Sequence, residues 1–229
     1  MSNNQNTEVF GDLSQHDLTC DKLYKIVSQL IHFPNANESE RNYILAAIRR
    51  TLSLNKAFRQ AIESQNGQMA FTLVRLNLDT LARTYALYWA DETDGISAET
   101  LSKDIFDGKS VRNMKLRGSN EKATDRWLID QIVGLGNWIP EVYKQTSGAI
   151  HFSDFHIKQL LQQASPLERF DDGTLKAEFV IGPGERNPDP ELYRELMQSF
   201  LHITMMFACA VEHRVEVVIG SRPPKTPPA

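Results

Sequence analysis

Apolar residues recur every three or four positions along most of the chain, the period of helices with one buried face. From Asp17 to His32, the residues Leu18, Leu23, Ile26, Val27, Leu30 and Ile31 fall on one side, and Pro34 ends the run. "PNANESE" reads as a linker with capping residues. A second helix follows from Glu38 to Arg50, with Tyr43, Ile44, Ala47 and Ile48 on its stripe; it runs on, with a break near Ser53, to about Gln65. The clearest pattern is "GQMAFTLVRLNLDTLARTYALYWADE". There Phe71, Val74, Leu78, Leu81, Ala82, Tyr85 and Trp89 keep the period with few turn signals, which predicts the central helix of a bundle.

Beyond this the pattern shortens. "SAETLSKDIF" predicts a short helix with Ser97 as its N-cap. "KSVRNMKLRGSNEK" is basic and interrupted by Gly118, and helix resumes over "ATDRWLIDQIVGLGNWI". Pro140 suits a first helical turn, so Glu141 to Ile150 should form another helix. "SPLERFDDGTLKAEFVIGPGE" carries the one β signal, two extended runs about a turn at Asp172-Gly173, and such a hairpin must pack on the helices. The last helix should run from Glu191 to Ile219, with Leu192, Leu196, Phe200, Ile203, Met206, Phe207, Ala210 and Val211 inward. The expectation is an all-α bundle of six or seven helices with a β-hairpin inserted near residues 165–182. Residues 1–15 should be a flexible N-terminus, 16–219 a single helical domain and 220–229 a proline-rich disordered tail.

Composition narrows the function classes. Hydrophobic residues make up 41% and charged residues 24% of 229, a length that suits one good-sized core. A net charge of −4 argues against a globally basic nucleic-acid binder and leaves room for a local basic patch. The polar N-terminus has no apolar signal-peptide core, and "ITMMFACAV" is too short to span a bilayer, so no membrane partner is expected. Cys20 and Cys209 form neither a metal-type nor a redox-type pair, which fits a reduced, cytoplasmic protein.

Three constellations could carry chemistry. The first is "YKQTSGAIHFSDFH", which holds Tyr143, Lys144, Ser147, His151 and His156 in a chain with six histidines. On a helix Tyr143, Ser147 and either Ile150 or His151 share a face. A histidine beside a cation and hydroxyls can act as general acid or base near neutral pH, and a cation can stabilise a phosphoryl transition state. The same residues also read as a helix boundary, with His151 near a C-terminus and Ser153 or Asp154 capping the next helix. The second is Arg75, Asp79 and Arg83, spaced i, i+4, i+8 on the central helix, where one carboxylate could pair with both guanidinium groups. Half buried, this ladder could help bind an anion or serve only as a structural network. The third is Lys109, Arg112, Lys115 and Arg117: if helical, three cations line one side and could contact a phosphate backbone. A solvated charged face is the alternative. No metal pattern and no cofactor motif is present: "GLG" at Gly134–Gly136 follows no strand, and the histidine spacing matches no zinc site.

The arrangement resembles a loose group of bacterial helical proteins similar to the HEPN superfamily. The likeness rests on "RLNLDTLAR" in the central helix and "YKQTSGAIHFS" in a later one, followed by a hairpin and a long terminal helix, and covers most of residues 17 to 219. HEPN ribonucleases use an arginine, four to six intervening residues and a histidine, usually paired across a dimer. Here the corresponding pair is Lys144 and His151, six residues between them, with lysine in the arginine's place. Lysine keeps the charge and loses the forked geometry. The resemblance implies metal-independent RNA cleavage or RNA or nucleotide binding in a defence or toxin–antitoxin system. His151 would be the acid or base, Lys144 the charge stabiliser, and Ser147 and Tyr143 the orienting groups; a homodimer or a protein partner is implied. Two other readings stand beside it: a non-catalytic helical adaptor, and a small-ligand receptor with Trp89, Trp127 or Trp138 in a pocket.

Overall fold

The computed structural model describes residues 13–32, 37–164, 168–176, 178–179 and 181–220; the side chains of 168, 175 and 217–220 are not described. Among these residues there are eight α-helices: α1 (Ser14–His32), α2 (Glu38–Glu63), α3 (Gly67–Asp91), α4 (Ala98–Phe106), α5 (Asp125–Ile132), α6 (Ile139–Ser147), α7 (Asp154–Gln162) and α8 (Pro190–Gly220). The expected flexible N-terminus and proline-rich tail lie almost wholly outside the described residues.

Helix α3 is the hub. Its N-cap Asn66 accepts a hydrogen bond from Met69 N at 3.1 Å. Buried residues occur all round it, as befits a helix packed on several sides, and it contacts α2, α4, α5, α6 and α8. Helix α2 is continuous through Ser53, correcting the expected break: Ile48, Thr51, Leu54, Asn55 and Phe58 carry the buried stripe across that point. Phe58 of α2 stacks on Phe200 of α8, ring centroids 4.2 Å apart, so three long helices close on one core.

Local signals fix several boundaries. Ser97 caps α4, accepting from Thr100 N at 3.1 Å. Thr124 does the same for α5 through Trp127 N at 3.3 Å. The helix expected across "ATDRWLIDQIVGLGNWI" is cut short: after Ile132 the chain tightens into a 3₁₀ turn, Val133–Leu135, beside Gly134 and Gly136. Pro140 occupies the first turn of α6, which stops at Ser147 rather than Ile150. The unexpected helix, α7, takes the count among the described residues to eight, past six or seven. None of its residues is buried, and Ile157 and Leu161 face outward, so no inward stripe announces it.

The inserted hairpin is not supported at its expected extent. Glu168–Arg169 pairs antiparallel with Leu175–Lys176, two residues a side, around a turn closed by Phe170 N to Thr174 O at 2.9 Å. Gly173 takes the left-handed φ of 84° that this turn requires. Phe170, Phe179 and Ile181 are exposed, so no apolar face holds longer strands against the bundle. No described helix is long and apolar enough to cross a membrane.

Candidate functional site

The crossing of α3 with α6 and the turn after it are tied at two points. Thr72 Oγ1 donates to Ala149 O at 3.1 Å, and the rings of Phe71 and Phe155 meet edge to face at 5.2 Å. The turn passes close to α7: a Cβ on Gly148 would lie 2.9 Å from Phe155 Cβ. This packing brings Tyr143 against α3, with the Arg75 guanidinium 4.4 Å from its ring centroid. Arg126, at the start of α5, lies 6.0 Å from the same ring. Lys144, one residue on, is exposed and has no ion-pair partner among the described residues; His151 is exposed beyond the end of α6.

Arg75 is the unusual member. It is 5% exposed. Its Nε is buried and unpartnered, and no carboxylate pairs with the guanidinium among the described residues. A desolvated guanidinium without an anion is costly, and the face of a tyrosine ring returns only part of that cost.

The expected Arg75–Asp79–Arg83 ladder is therefore corrected to a pair. Asp79 receives both its contacts from Arg83 Nε, at 2.9 and 3.0 Å. Arg83 extends its Nη2 to Asp125 of α5 at 2.6 Å. Burial pulls the Arg83 guanidinium down, but Asp79 and Asp125 outweigh it and hold it above its ordinary value. Arg75 takes no part in the pairing and faces Tyr143 instead.

The polar residues after Tyr143 are partly spoken for. The Ser147 hydroxyl donates to Tyr143 O, so its proton serves the helix end. His156 completes a capping box for α7: Ser153 N donates to its Nδ1 at 3.3 Å while Ser153 Oγ accepts from Phe155 N. Its ring stacks on Phe152, centroids 5.6 Å apart. Of the two histidines, only His151 is without a partner among the described residues.

The basic segment does not form the expected three-cation helix face. Arg112 sits in a three-residue 3₁₀ turn, and the chain is extended at Met114 before Lys115. Lys109 pairs with Asp104 at 2.8 Å and Arg117 with Glu92 at 2.8 Å, leaving Arg112 and Lys115 as separate exposed cations. No group of three metal-type ligands occurs among the described residues. Trp89 and Trp127 pack edge to face in the core at 5.5 Å. Trp138 lines a cleft of about 410 Å³ with Glu141, Glu195 and His202.

Two cations escaped the sequence reading. Arg126 comes to Tyr143 from another helix, and no spacing within one element could signal that. Arg50 closes one end of a groove beside α2, its Nε donating to Thr80 Oγ1 at 3.0 Å. A buried network was missed as well: Arg214 of α8 pairs with Glu40 of α2, and with Asp91 of α3 at 2.6 Å.

Comparison with family models, with curated proteins and with solved structures finds no match. Chemically, the junction offers one buried guanidinium without a carboxylate among the described residues, a second guanidinium 6.0 Å from the same ring and an aromatic face, with the exposed Lys144 and His151 following Tyr143 along the chain. That combination suits a phosphate-bearing ligand.

Proposed function

We propose that the α3–α5–α6 junction binds phosphate groups of RNA or a nucleotide, and that His151 acts there as an acid–base group in metal-independent phosphodiester cleavage. The observation that carries this reading is the missing anion of Arg75. A phosphate arriving from solvent supplies the charge that no described residue of the chain provides. Arg126 adds a second guanidinium at the Tyr143 ring, which backs the Arg75 fork, and Lys144 is the exposed cation one residue on from that ring. In cleavage, the base takes the proton of a ribose 2′-hydroxyl as its oxygen attacks the adjacent phosphorus. The departing 5′-oxygen takes a proton from an acid, and a cyclic phosphate remains. Lys144 contributes a point charge to the phosphorane, a weaker arrangement than a fork.

A homodimer completes the reading, since one free imidazole per copy serves one of the two proton transfers. Supporting it, the α6–α7 turn and α7 present Phe152, Ile157 and Leu161, which are 88%, 53% and 58% exposed. The same apolar face favours a second reading, a non-catalytic adaptor that meets another protein through α7.

The test is incubation of the protein in EDTA with labelled single-stranded RNA and tRNA, beside His151→Ala and Arg75→Met. Cleavage lost in His151→Ala with binding kept supports catalysis at His151. Binding lost in Arg75→Met, with affinity falling steeply as salt rises, supports the phosphate site. Absence of RNA and nucleotide binding at low salt overturns the proposal and leaves the adaptor.

A further inference from the structure

A groove along α2 is lined by residues other than Arg75, Arg126 and Tyr143 of the junction, and its assignment does not rest on the reading above. It consists of two clefts of about 370 and 410 Å³ lying end to end along α2. They share Tyr43, Ala46 and Ile105 at their waist. Each is large enough for a drug-sized ligand. Small side chains make the groove: Ala46 and Ala47 leave α2 low where α3 and α4 stand high on either side.

The two halves differ in charge. Arg50 and Arg83 face one half; Arg83 is held by Asp79 and by Asp125 of α5, so Arg50 supplies that half's open positive charge. Arg50 donates its Nε to Thr80 Oγ1 at 3.0 Å and makes no ion pair among the described residues. The other half holds Glu38 and Asp107 against Lys103, an excess of one negative charge. Ser102 lies in that second half. It is 2% exposed, and its Oγ is buried without a hydrogen-bond partner. A buried hydroxyl with no partner is uncommon in a folded protein. Between the ends the lining is apolar, and Phe106 at the rim is 86% exposed. Helical rise puts about 12 Å between Asn42 and Arg50 along α2.

We infer that this groove binds an elongated amphiphilic carboxylate whose anionic head meets Arg50, whose apolar body lies on Ala46 and Ile105, and whose far end offers a hydroxyl to Ser102. The charge gradient fixes the orientation: reversed, the head would face Glu38 and Asp107. Arg50 then gains an ion pair and Ser102 a hydrogen bond, which neither has among the described residues of the free protein.

The test is calorimetric titration of the full chain with 10-hydroxydecanoate and with decanoate. Arg50 and Ala46 are exposed and the Ser102 hydroxyl is unpaired, so Arg50→Gln, Ala46→Phe and Ser102→Ala should keep the fold, with far-ultraviolet circular dichroism as the check. Expected are saturable 1:1 binding, its loss in Ala46→Phe, and about a tenfold weakening in Arg50→Gln. Ser102→Ala should lower the affinity for 10-hydroxydecanoate to that for decanoate and leave decanoate unchanged. No binding of either acid, or binding that survives Ala46→Phe, overturns the assignment. An affinity indifferent to Arg50→Gln overturns the orientation.

Discussion

Replacing Arg75 with methionine should stabilise the free protein, the reverse of what truncating a buried arginine usually does. Arginines that hold a buried carboxylate cost about 3–5 kcal/mol when removed, because the carboxylate is left behind. Arg75 leaves none: Asp79 is satisfied by Arg83, and no other acid pairs with Arg75 among the described residues. What the substitution loses is the cation–ring contact at 4.4 Å over Tyr143, worth about 2 kcal/mol when desolvated. What it removes is the desolvation of a guanidinium with a buried, unpartnered Nε, several kcal/mol by the same reasoning. Methionine keeps most of the apolar stem, so little cavity is created. The balance favours the variant by about 2 kcal/mol, a rise in Tm of about 6 °C for a chain of this length. Urea unfolding at pH 7 in low-salt buffer without phosphate gives the difference directly. The same experiment with a phosphate-bearing ligand should reverse the order, since a ligand at 100 times its Kd adds about 2.7 kcal/mol to the wild type alone. A loss of more than about 2 kcal/mol in Arg75→Met without ligand would refute the reasoning, because it would mean the guanidinium already has a partner worth more than the ring.

Two further perturbations test the electrostatics of the core. Arg214→Leu strands Glu40, which is 0% exposed, and should cost about 3–5 kcal/mol in chemical denaturation; a loss under about 1 kcal/mol would contradict the assigned pairing. His16 lies beside the stacked Phe58 and Phe200 rings, at 6.0 and 5.9 Å, and burial, aided by the Arg59 charge, lowers its pKa from 6.5 to about 4. Between those values the unfolded chain binds the proton and the folded chain does not. Stability therefore falls as pH drops from 6.5 to 4, by on the order of 3 kcal/mol, and is fully present above 6.5. In His16→Leu the urea midpoint should lose that slope across this range, whereas an unchanged slope would assign it to other groups.

The sequence was most informative where one element determines the outcome. The α3 stripe, the Ser97 cap and the first-turn position of Pro140 all depend on neighbours within four residues, and all stand in the fold. It failed where the deciding partner comes from elsewhere. Helix α7 has caps but no buried residue, so the rule that finds helices by their inward stripe passes over it. The ladder failed for a related reason. Spacing of i, i+4, i+8 says which side chains can meet, and Asp79 could have met either arginine. Asp125, from a helix 42 residues onward, makes a second contact with Arg83 and sets that arginine in place. Tyr143, from later still, offers Arg75 a ring in place of a carboxylate.

A local rule that breaks without a compensating partner is the more informative kind of failure. At Glu40 and Arg214 the sequence also gave no warning, yet their charges balance and the network needs nothing further. At Arg75 the charge stays unbalanced among the described residues, and the Ser102 hydroxyl is buried without a partner beside an open groove. Stability alone would favour a methionine at Arg75 and an alanine at Ser102. The Arg75 guanidinium and the Ser102 hydroxyl cost free energy in the unliganded state, which an incoming phosphate at the junction, and a ligand hydroxyl in the α2 groove, would return.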